Sequence, residues 1–522
     1  MRKSLLILVL LLSLVFILTL GCNGGGGGGD GAGPDDRMEI TVALWEVDPT
    51  FVDGCELYAM IQERFNVDIV PIPLTWDDYH EKVNTWVATN DMPDVFNIDL
   101  LPGNAALLQN WIREEMVRPM PEDMSAYPNL AEIFTLADVE ATRIDGQFWN
   151  IPRARADKTQ YTWVGSRIIY YRRDWAEQLG FDTPQNIDEV VAFLRAVMEH
   201  DPSGTGNPVG ITAWSEGFLR DAIWHAFEPR AFGSWQYENG NVYRAFDAPN
   251  SFEAASFMRE MYNEGLIDPD IIIQSSDAGG EKFMSNRAAM FAFQVSGNFL
   301  DNFDTLSGTT SAEAIGILPL LPNIHDGNTY FFNTTSYWSE MYISADVSDA
   351  KFDRILQLAD FFASEEWFDT VLFGIEGVDW RRNGSDIEFL GDGGTRVDVA
   401  GLYSFLHGFQ FFTVWTESVD MWPFTLNDPH IAEIGVAFYH SVSNNPNSMP
   451  TPQSFLFDMI STPLRQDFVD DSSAALQRFI YGRSDGDARA EWDEMIASFN
   501  EAGLQEMIAE VAQEARNMGV ID

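Results

Sequence analysis

Cysteine is almost absent from this sequence, which has two cysteines in 522 residues. Cys22 ends the N-terminal apolar segment, so only Cys55 remains beyond it and no internal disulfide can form there. A structural metal site built from cysteines is excluded for the same reason. The seven histidines have no metal-ligand spacing, and the GxSxG, HExxH and P-loop motifs are missing. No motif therefore indicates a serine hydrolase, a zinc peptidase or a P-loop enzyme.

Positive charge is scarce as well. The chain has 31 lysines and arginines against 80 aspartates and glutamates, for a formal net charge of -49. Binding to nucleic acid phosphates needs a basic surface, so this balance argues against a nucleic acid partner. The acidic residues are spread along the whole chain rather than gathered in a tail. We interpret them as a solvated acidic surface suited to a salty medium, rather than as a specific cation-binding site.

A second long apolar run is also missing. Arg2 and Lys3 are followed by an almost wholly apolar stretch, Leu5–Leu18, and no run of spanning length comes later. This stretch is shorter than the ~20 residues that a transmembrane helix needs. Residues 1–21 are therefore typical of a secretory signal peptide, and we expect the mature protein to be soluble and extracytoplasmic.

The residues that follow predict a lipid anchor. TLGC (19–22) resembles a bacterial lipobox, although the commonest form has leucine three residues before the cysteine. Six consecutive glycines come next, and glycine-rich segments behave as flexible coil. We predict that Cys22 carries the lipid and that residues 22–37 tether the folded protein to the membrane surface. An ordinary cysteine near a cleavage site is the alternative.

Hydrophobic periodicity predicts an α/β fold for the rest of the chain. Strands are expected at 39–46, 67–74 and 93–100, with a helix over 56–66 and another from Thr75 to about Thr89. This alternation is typical of a parallel sheet, in which ligands lie at the carboxyl ends of the strands. Trp45 and Asp99 lie at two of these strand ends, so we expect them to line a cleft.

A second α/β unit is predicted from about residue 165. Strand signals recur at 166–175, where the strand runs into a turn, and at 207–214 and 287–295, and residues 336–364 repeat the strand-to-helix pattern. The small residues 296–298 form a turn that we expect to open a helix, with backbone N–H groups that face a ligand. The C-terminal region is expected to be largely helical.

Four stretches together resemble a known family. They are PDVF (93–96), the segment from GQFWNIPR to DPSGTG (146–206), FGIEGVDW (373–380) and the segment RFIYGRSDGDARAEWDEMI to VAQEA (478–515). In this order they resemble the substrate-binding lipoproteins of ABC carbohydrate importers, and most of all the branch that includes binding proteins for aldouronates, other oligosaccharides and alginate fragments.

The resemblance implies a two-lobed periplasmic-binding-protein (Venus-flytrap) fold within residues 38–522. Lobe 1 would take approximately 38–155 and a later segment near 340–380, and lobe 2 approximately 165–335 and much of 385–522. The resemblance also implies a function without catalysis: a carbohydrate binds between the lobes, the lobes close, and the closed form docks on the permease of the importer. We expect a monomer.

A sugar presents an apolar C–H face and a rim of hydroxyl groups, which aromatic rings and planar polar groups recognise. The chain has 16 tryptophans, and most tryptophans pack in protein interiors. From their positions near strand ends, lobe crossings and loops, the candidate ligand-binding residues are Trp45, Asp99, Arg153, Trp163, Trp214, Asn298, Trp338, Trp380 and Trp415. Packing in the core is the alternative for each tryptophan.

The charged candidates have their own alternatives. Arg153 and Arg155 follow the first predicted crossing between the lobes. A guanidinium binds a carboxylate through two parallel hydrogen bonds, which would favour a uronate ligand, but a salt bridge between the lobes is equally consistent. Asp99 would accept two sugar hydroxyls or cap the helix that follows Pro102.

The segment DPSGTGN (201–207) has the alternation of a calcium-binding loop, with Asp201, Ser203, Thr205 and Asn207 at alternate positions. Thr212 occupies the position at which such a loop carries glutamate, so most of the required charge is missing. We expect a turn built on Gly204 and Gly206, and no metal or cofactor.

Other functions remain open at this level. A surface glycoside hydrolase would need two carboxylates that face each other across a sugar, and 80 acidic residues do not exclude such a pair. A structural or adhesive lipoprotein would lack a closing cleft. A solute-binding protein for peptides would share the fold but not the ligand.

Overall fold

The structure is a computed structural model. It describes residues 37–45, 47, 50, 54–101, 103–154, 163–296, 303–384, 386–391, 394, 399, 419, 428–482 and 486–521. The predicted signal peptide, Cys22 and nearly all of the tether lie outside these residues.

The strands are short, and each has between three and eight residues. In chain order they are β1 (Met38–Trp45), β2 (Val67–Leu74), β3 (Val95–Ile98), β4 (Ile151–Ala154), β5 (Ile168–Arg172), β6 (Val209–Ala213), β7 (Trp235–Glu238), β8 (Asn241–Arg244), β9 (Ala288–Phe293), β10 (Ile315–Ile317), β11 (Thr329–Phe331), β12 (Tyr337–Ile343), β13 (Trp380–Asn383), β14 (Asp386–Phe389) and β15 (Ser448–Pro450).

The helices are α1 (Glu56–Phe65), α2 (Tyr79–Thr89), α3 (Ala105–Arg113), α4 (Pro128–Ile133), α5 (Ala137–Glu140), α6 (Arg173–Leu179), α7 (Ile187–His200), α8 (Glu216–Trp224), α9 (Ser251–Asn263), α10 (Ser276–Met284), α11 (Phe303–Ser307), α12 (Ser311–Ala314), α13 (Asp349–Phe362), α14 (Glu365–Phe373), α15 (Pro429–Ser443), α16 (Pro463–Asp467), α17 (Ser472–Tyr481), α18 (Ala488–Glu501) and α19 (Leu504–Asn517). Within the described part of the chain, no helix is both long enough and apolar enough to cross a bilayer.

The first sheet has the strand order β2-β1-β3-β12-β4. β1 pairs in parallel with β2 and with β3, whereas β12 is antiparallel to β3 and β4. Helices cover a parallel sheet on both faces, and Val42–Trp45 are accordingly all buried. Since β12 lies between β3 and β4, the chain leaves this sheet after β4 and returns to it at residue 337. We call the unit built on this sheet lobe 1.

The second sheet has the order β10-β5-β9-β6. Its central strand β9, AAMFAF, is buried throughout, pairs in parallel with β6 and pairs antiparallel with β5. The C-terminal helices α17 to α19 pack on this unit through buried side chains such as Leu476, Trp492 and Met507. We call this unit lobe 2, and the helical C-terminal region predicted from the sequence belongs to it.

Candidate ligand-binding site between the lobes

Four aromatic side chains meet at one edge of the first sheet. Trp45, the last residue of β1, is completely buried. Trp76 stacks on Trp45, with ring centroids 5.3 Å apart and ring planes 12° apart. Tyr79 meets Trp45 edge-on at 5.2 Å, and Trp338 lies against Trp45 at 5.3 Å. The other three side chains are only half-buried, so Trp45 forms the buried base on which they pack. We call these four side chains the aromatic cluster.

Strand pairing explains why distant residues meet there. β1 and β2 are parallel and in register, with Trp45 opposite Leu74, so both strands end at the same edge of the sheet. β12 runs antiparallel to β3, with Glu340 opposite Ile98, so its first residues extend past the end of β3 to that edge. Trp76 and Trp338 therefore approach Trp45 from two neighbouring strand ends.

Arg153 lies under two rings of the aromatic cluster. It belongs to β4, is completely buried, and has its guanidinium carbon 4.5 Å from the ring centre of Trp338 and 5.5 Å from that of Trp45. Its Nη1 donates a hydrogen bond to Oγ of Ser339 at 2.7 Å. A guanidinium over an indole face is attracted by the ring quadrupole. Arg153 therefore packs against the two tryptophan rings. This buried position does not favour the interpretation that Arg153 binds the carboxylate of a uronate.

Asp99 lies beside the aromatic cluster, immediately after β3. Its Oδ1 accepts a hydrogen bond from the hydroxyl of Tyr79 at 2.9 Å and lies 3.3 Å from Nε2 of His80. Burial raises the pKa of Asp99, and the nearby His80 works in the opposite direction. The side chain is still 37% exposed, so a carboxylate acceptor lies next to partly exposed indole rings.

Glu340 holds the backbone that follows Asp99. It is completely buried on β12, and its two carboxylate oxygens accept hydrogen bonds from the backbone N–H groups of Leu100 and Leu101, at 3.0 Å and 3.1 Å. The hydroxyl of Tyr342 also donates to it at 3.3 Å. Burial, together with the charge of Asp99, raises the pKa of Glu340 well above its usual range. Glu340 is thus a positioning residue for the β3–α3 connection.

Lobe 2 contributes aromatic and charged groups of its own. Trp214 follows β6 and stacks on Phe293 at the end of β9, with centroids 4.7 Å apart. Arg167 places its guanidinium 4.2 Å from the ring centre of Phe332 and pairs with Asp221 at 3.0 Å. Trp214 is half-buried, so it keeps part of its ring accessible.

The connection between the lobes uses Trp163. Its ring is buried, and its Nε1 donates a hydrogen bond to the carbonyl of Thr335 at 2.7 Å. One residue later, Oγ of Ser336 donates to Asp138 of lobe 1 at 2.8 Å. Trp163 therefore packs where the chain crosses between the lobes and offers little surface to a ligand.

The lobes also touch beside the aromatic cluster. Oγ of Ser276, the first residue of α10, donates a hydrogen bond to Oδ1 of Asp77 at 3.1 Å. Asp77 is the neighbour of Trp76, so this contact closes one end of the cleft next to the aromatic rings. Burial and the charges of Asp77 and Glu281 raise the pKa of Asp277 at the same place.

Of the ligand-binding residues predicted from the sequence, the structure brings together Trp45, Asp99, Arg153 and Trp338. Trp380 lies elsewhere: it is buried at the start of the β13–β14 hairpin, donates from Nε1 to the carbonyl of Gly374 at 2.9 Å, and packs edge-on against Phe373. Since no face of its ring is open, we remove it from the candidate site. Arg155, Asn298 and Trp415 lie outside the described residues.

Sequence reasoning missed Trp76, Tyr79 and Glu340. The strand-end rule that selected Trp45 applies equally to Trp76, which lies two residues beyond β2, so the signal was present for this ring. Glu340 gave no such signal, because its role depends on the return of β12 to a strand more than 200 residues earlier in the chain.

The loop at 201–207 closes on itself. Asp201 accepts hydrogen bonds from the hydroxyl of Ser203 and from the backbone N–H of Gly206, the latter at 2.6 Å. These bonds, with that of Ser203 the strongest, hold the pKa of Asp201 below its usual value. Among the described residues, no group of three or more histidine, cysteine, aspartate or glutamate side chains is arranged to hold a metal ion.

Comparison with known proteins identifies the family. The model of the bacterial extracellular solute-binding protein family matches residues 48–367. The chain belongs to this family. A curated relative, the polygalacturonan/rhamnogalacturonan-binding protein YtcQ of Bacillus subtilis (strain 168), is 24% identical over 382 residues, which are 69% of this chain and 70% of the relative.

Two solved structures show the same fold. The alginate-binding protein AlgQ2, solved without calcium ion, superposes with a TM-score of 0.69 at 18% identity and covers 92% of this chain and 98% of its own. The substrate-binding protein FusA of a Streptococcus pneumoniae ABC transporter, in complex with kestose, gives 0.67 at 16% identity and covers 93% and 100%. The two-lobed solute-binding fold predicted from the sequence is confirmed.

Proposed function

We propose that this solute-binding protein captures a carbohydrate between its lobes and delivers it to an ABC importer. The observation that carries the proposal is the aromatic cluster: half-buried indole rings at the edge of the cleft, with the Asp99 carboxylate beside them. Indole faces pack on the C–H face of a sugar, and a carboxylate accepts its hydroxyls.

The known ligands of similar proteins support the same class. YtcQ is named for polygalacturonan and rhamnogalacturonan, AlgQ2 for alginate, and FusA is solved with kestose. All of these are carbohydrates, but they include both uronate polymers and a neutral oligosaccharide. They therefore support an oligosaccharide ligand. Whether that ligand is charged or neutral has to be inferred from the residues of this chain.

The proposal includes a membrane anchor at Cys22. A lipid on this residue and the tether at 22–37 would hold the lobes outside the cytoplasmic membrane, where the permease of the importer is reached. The extracellular family supports this location. We assign residues 38–155 and about 340–380 to lobe 1, and 165–335 with much of 385–522 to lobe 2, in a monomer.

Binding without catalysis fits the site. A glycoside hydrolase needs two carboxylates on opposite sides of the scissile bond. Glu340, the carboxyl group nearest to Asp99 on the neighbouring strand β12, is fully buried, and both of its oxygens accept hydrogen bonds from backbone N–H groups. It has no free oxygen for an acid, a base or a nucleophile.

Thermal unfolding of the full chain in detergent and high salt tests the proposal. The panel would hold neutral oligomers (fructo-, malto- and xylo-oligosaccharides) and uronate oligomers (galacturonates and mannuronates). A ligand at about 100 times its Kd adds ~2.7 kcal/mol to the free energy of unfolding, a rise of a few degrees in Tm. We expect such a shift with at least one series, and recovery of the sugar intact by mass spectrometry. No shift with any sugar would overturn the carbohydrate assignment, and hydrolysed sugar would overturn binding without catalysis.

A further inference from the structure

A cavity of about 590 Å³ lies between the lobes and is lined by part of the β3–α3 connection. Its lobe 1 wall is the stretch from Gly103 to Ala106 at the start of α3. Its lobe 2 wall includes Arg244 at the end of β8 and the segment from Asp458 to Asp470 around α16. None of the four rings of the aromatic cluster lines it, and we call it the polar cavity.

Two of its charged groups form a complete pair. Nη2 of Arg244 donates to Oδ2 of Asp470 at 2.6 Å. The other oxygen of Asp470 accepts hydrogen bonds from the backbone N–H of Ser472, at 3.1 Å, and from its hydroxyl. This pair frames the cavity wall and needs no partner from outside.

Arg465 is also held by the protein. Its Nη1 donates to the carbonyl oxygens of Phe457 and Ile460, the latter at 2.6 Å. These two bonds tie the guanidinium to the turn that carries Asp458, so both cations of the cavity wall already have acceptors.

Asp458 is different. Its nearest cation is Nη2 of Arg465, 3.6 Å away, which is too long for a hydrogen bond. No group in the described part of the chain donates a hydrogen bond to its carboxylate. The side chain is 28% exposed, and the residue lines the cavity. A half-buried acceptor to which the protein donates no hydrogen bond is suited to a ligand that brings hydroxyl donors. Burial raises the pKa of Asp458 to about 6.

We propose that the polar cavity is a second sugar subsite, in which a neutral sugar unit donates hydroxyl hydrogen bonds to Asp458. The inference rests on the proposed function and adds the charge class of the ligand at this position. A uronate unit is disfavoured because its carboxylate would lie near the negative charges of Asp458 and Asp470, and the guanidinium of Arg244 is paired with Asp470.

One oligosaccharide can reach both places. Asp99 lies beside the aromatic cluster and Gly103 lines the polar cavity, and the four residues from one to the other span at most ~14 Å. Sugar units that stack on Trp76 or Trp338 would therefore be followed, a few units along the chain, by a unit in the polar cavity. Longer oligomers should gain affinity from it, and the shortest should not.

The experiment is a calorimetric titration of the full chain with each dimer-to-pentamer series of the panel above. Asp458→Asn keeps the shape of the side chain and removes its charge. Asp467→Asn is the matched control, since this exposed aspartate of α16 undergoes the same charge change and does not line the cavity. Ala106→Phe fills the cavity from the opposite wall and provides a second, independent block.

We expect the wild type to bind tetramers and pentamers of a neutral series more tightly than the dimer. Asp458→Asn and Ala106→Phe should each weaken binding of the long oligomers about tenfold, with the dimer unchanged, and Asp467→Asn should match the wild type. Wild-type affinity of Asp458→Asn at every length would overturn the subsite, as would a length gain confined to the uronate series. If the wild type binds none of the sugars, the proposed function itself fails, which is a distinct result.

Discussion

The aromatic cluster and the polar cavity differ in kind. In the cluster Trp45, Trp76 and Trp338 pack together, with the carboxylate of Asp99 at the rim. The polar cavity has four charged side chains in its wall, two of either sign, and no indole. One surface suits the C–H face of a sugar, and the other suits its hydroxyl rim.

The difference indicates how one cleft can hold an oligosaccharide in register. Stacking on aromatic rings tolerates sliding and rotation, because any sugar has an apolar face. Hydrogen bonds to a half-buried carboxylate are directional and depend on where the hydroxyls lie. We infer that the aromatic cluster supplies most of the affinity and the polar cavity most of the selectivity.

The largest effect is expected at the buried base of the aromatic cluster. Trp45 is completely buried, and its truncation in Trp45→Ala removes contacts with three other rings. We expect a loss of about 3–5 kcal/mol in the free energy of unfolding, as for other buried tryptophans. Urea unfolding followed by circular dichroism measures it. Trp45→Phe should lose clearly less, and equal midpoints for Trp45→Ala and the wild type would contradict the role of this ring.

The next effect concerns affinity rather than folding. Trp338 is a half-buried ring of the aromatic cluster, so under the proposed function Trp338→Ala should weaken sugar binding by roughly 1.5–3 kcal/mol, the value of burying a large apolar side chain. Calorimetric titration with the best ligand of the panel measures the change. Trp149→Ala is the control: this half-buried indole packs on the same core and donates to the carbonyl of Ile144. Equal losses from both variants would show that Trp338 acts through lobe stability alone.

Local sequence patterns predicted the elements near this site well, and the exception is informative. β2 spans 67–74 as expected, because its apolar residues and turn-forming flanks are contiguous. The helix after it begins at Tyr79 rather than at Thr75. The reason is that Oδ1 of Asp78 accepts the backbone N–H of Thr75 at 3.0 Å and closes a turn before the helix. That turn carries Trp76 onto Trp45.

The site was less predictable than the fold, for a physical reason. Trp45, Asp99 and Trp338 are positioned by strand ends, which periodicity reveals. Glu340 acts through contacts with a segment hundreds of residues away, and Asp458 lines a cavity whose opposite wall is equally distant in sequence. Periodicity carries no information about either arrangement. The chain also has 80 acidic residues, so residue type alone does not distinguish these two.

In the polar cavity, unlike in the aromatic cluster, we expect a substitution to raise the free energy of unfolding. The pKa of Asp458 is about 6 in the folded protein and near 3.8 when unfolded, so its charge opposes folding above pH 6 and the penalty fades as the pH falls towards 4. Asp458→Asn should therefore raise the unfolding free energy of the ligand-free protein at pH 8 by roughly 1–2 kcal/mol, with little gain at pH 4. Urea unfolding at both pH values checks this, with Asp467→Asn as control. A variant that is less stable at pH 8 would contradict the account of Asp458 as an unsatisfied acceptor.

The smallest effect is expected where the lobes touch. Asp277 on lobe 2 faces Asp77 on lobe 1 near Glu281, and the hydrogen bond from Ser276 to Asp77 joins the two lobes there. Burial and these like charges raise the pKa of Asp277, so its ionised form opposes closure of the two lobes. Lower pH protonates Asp277 and therefore favours closure. Asp277→Asn should tighten sugar binding about two- to threefold at pH 8 and low salt. The gain should vanish in ~1 M salt, where charges are screened beyond about 3 Å. Asp188 is an exposed aspartate of α7 in the same lobe, so Asp188→Asn should leave the affinity unchanged. An equal gain in affinity from Asp188→Asn would show that the net charge of the lobe, and not the contact at Asp77, causes the effect.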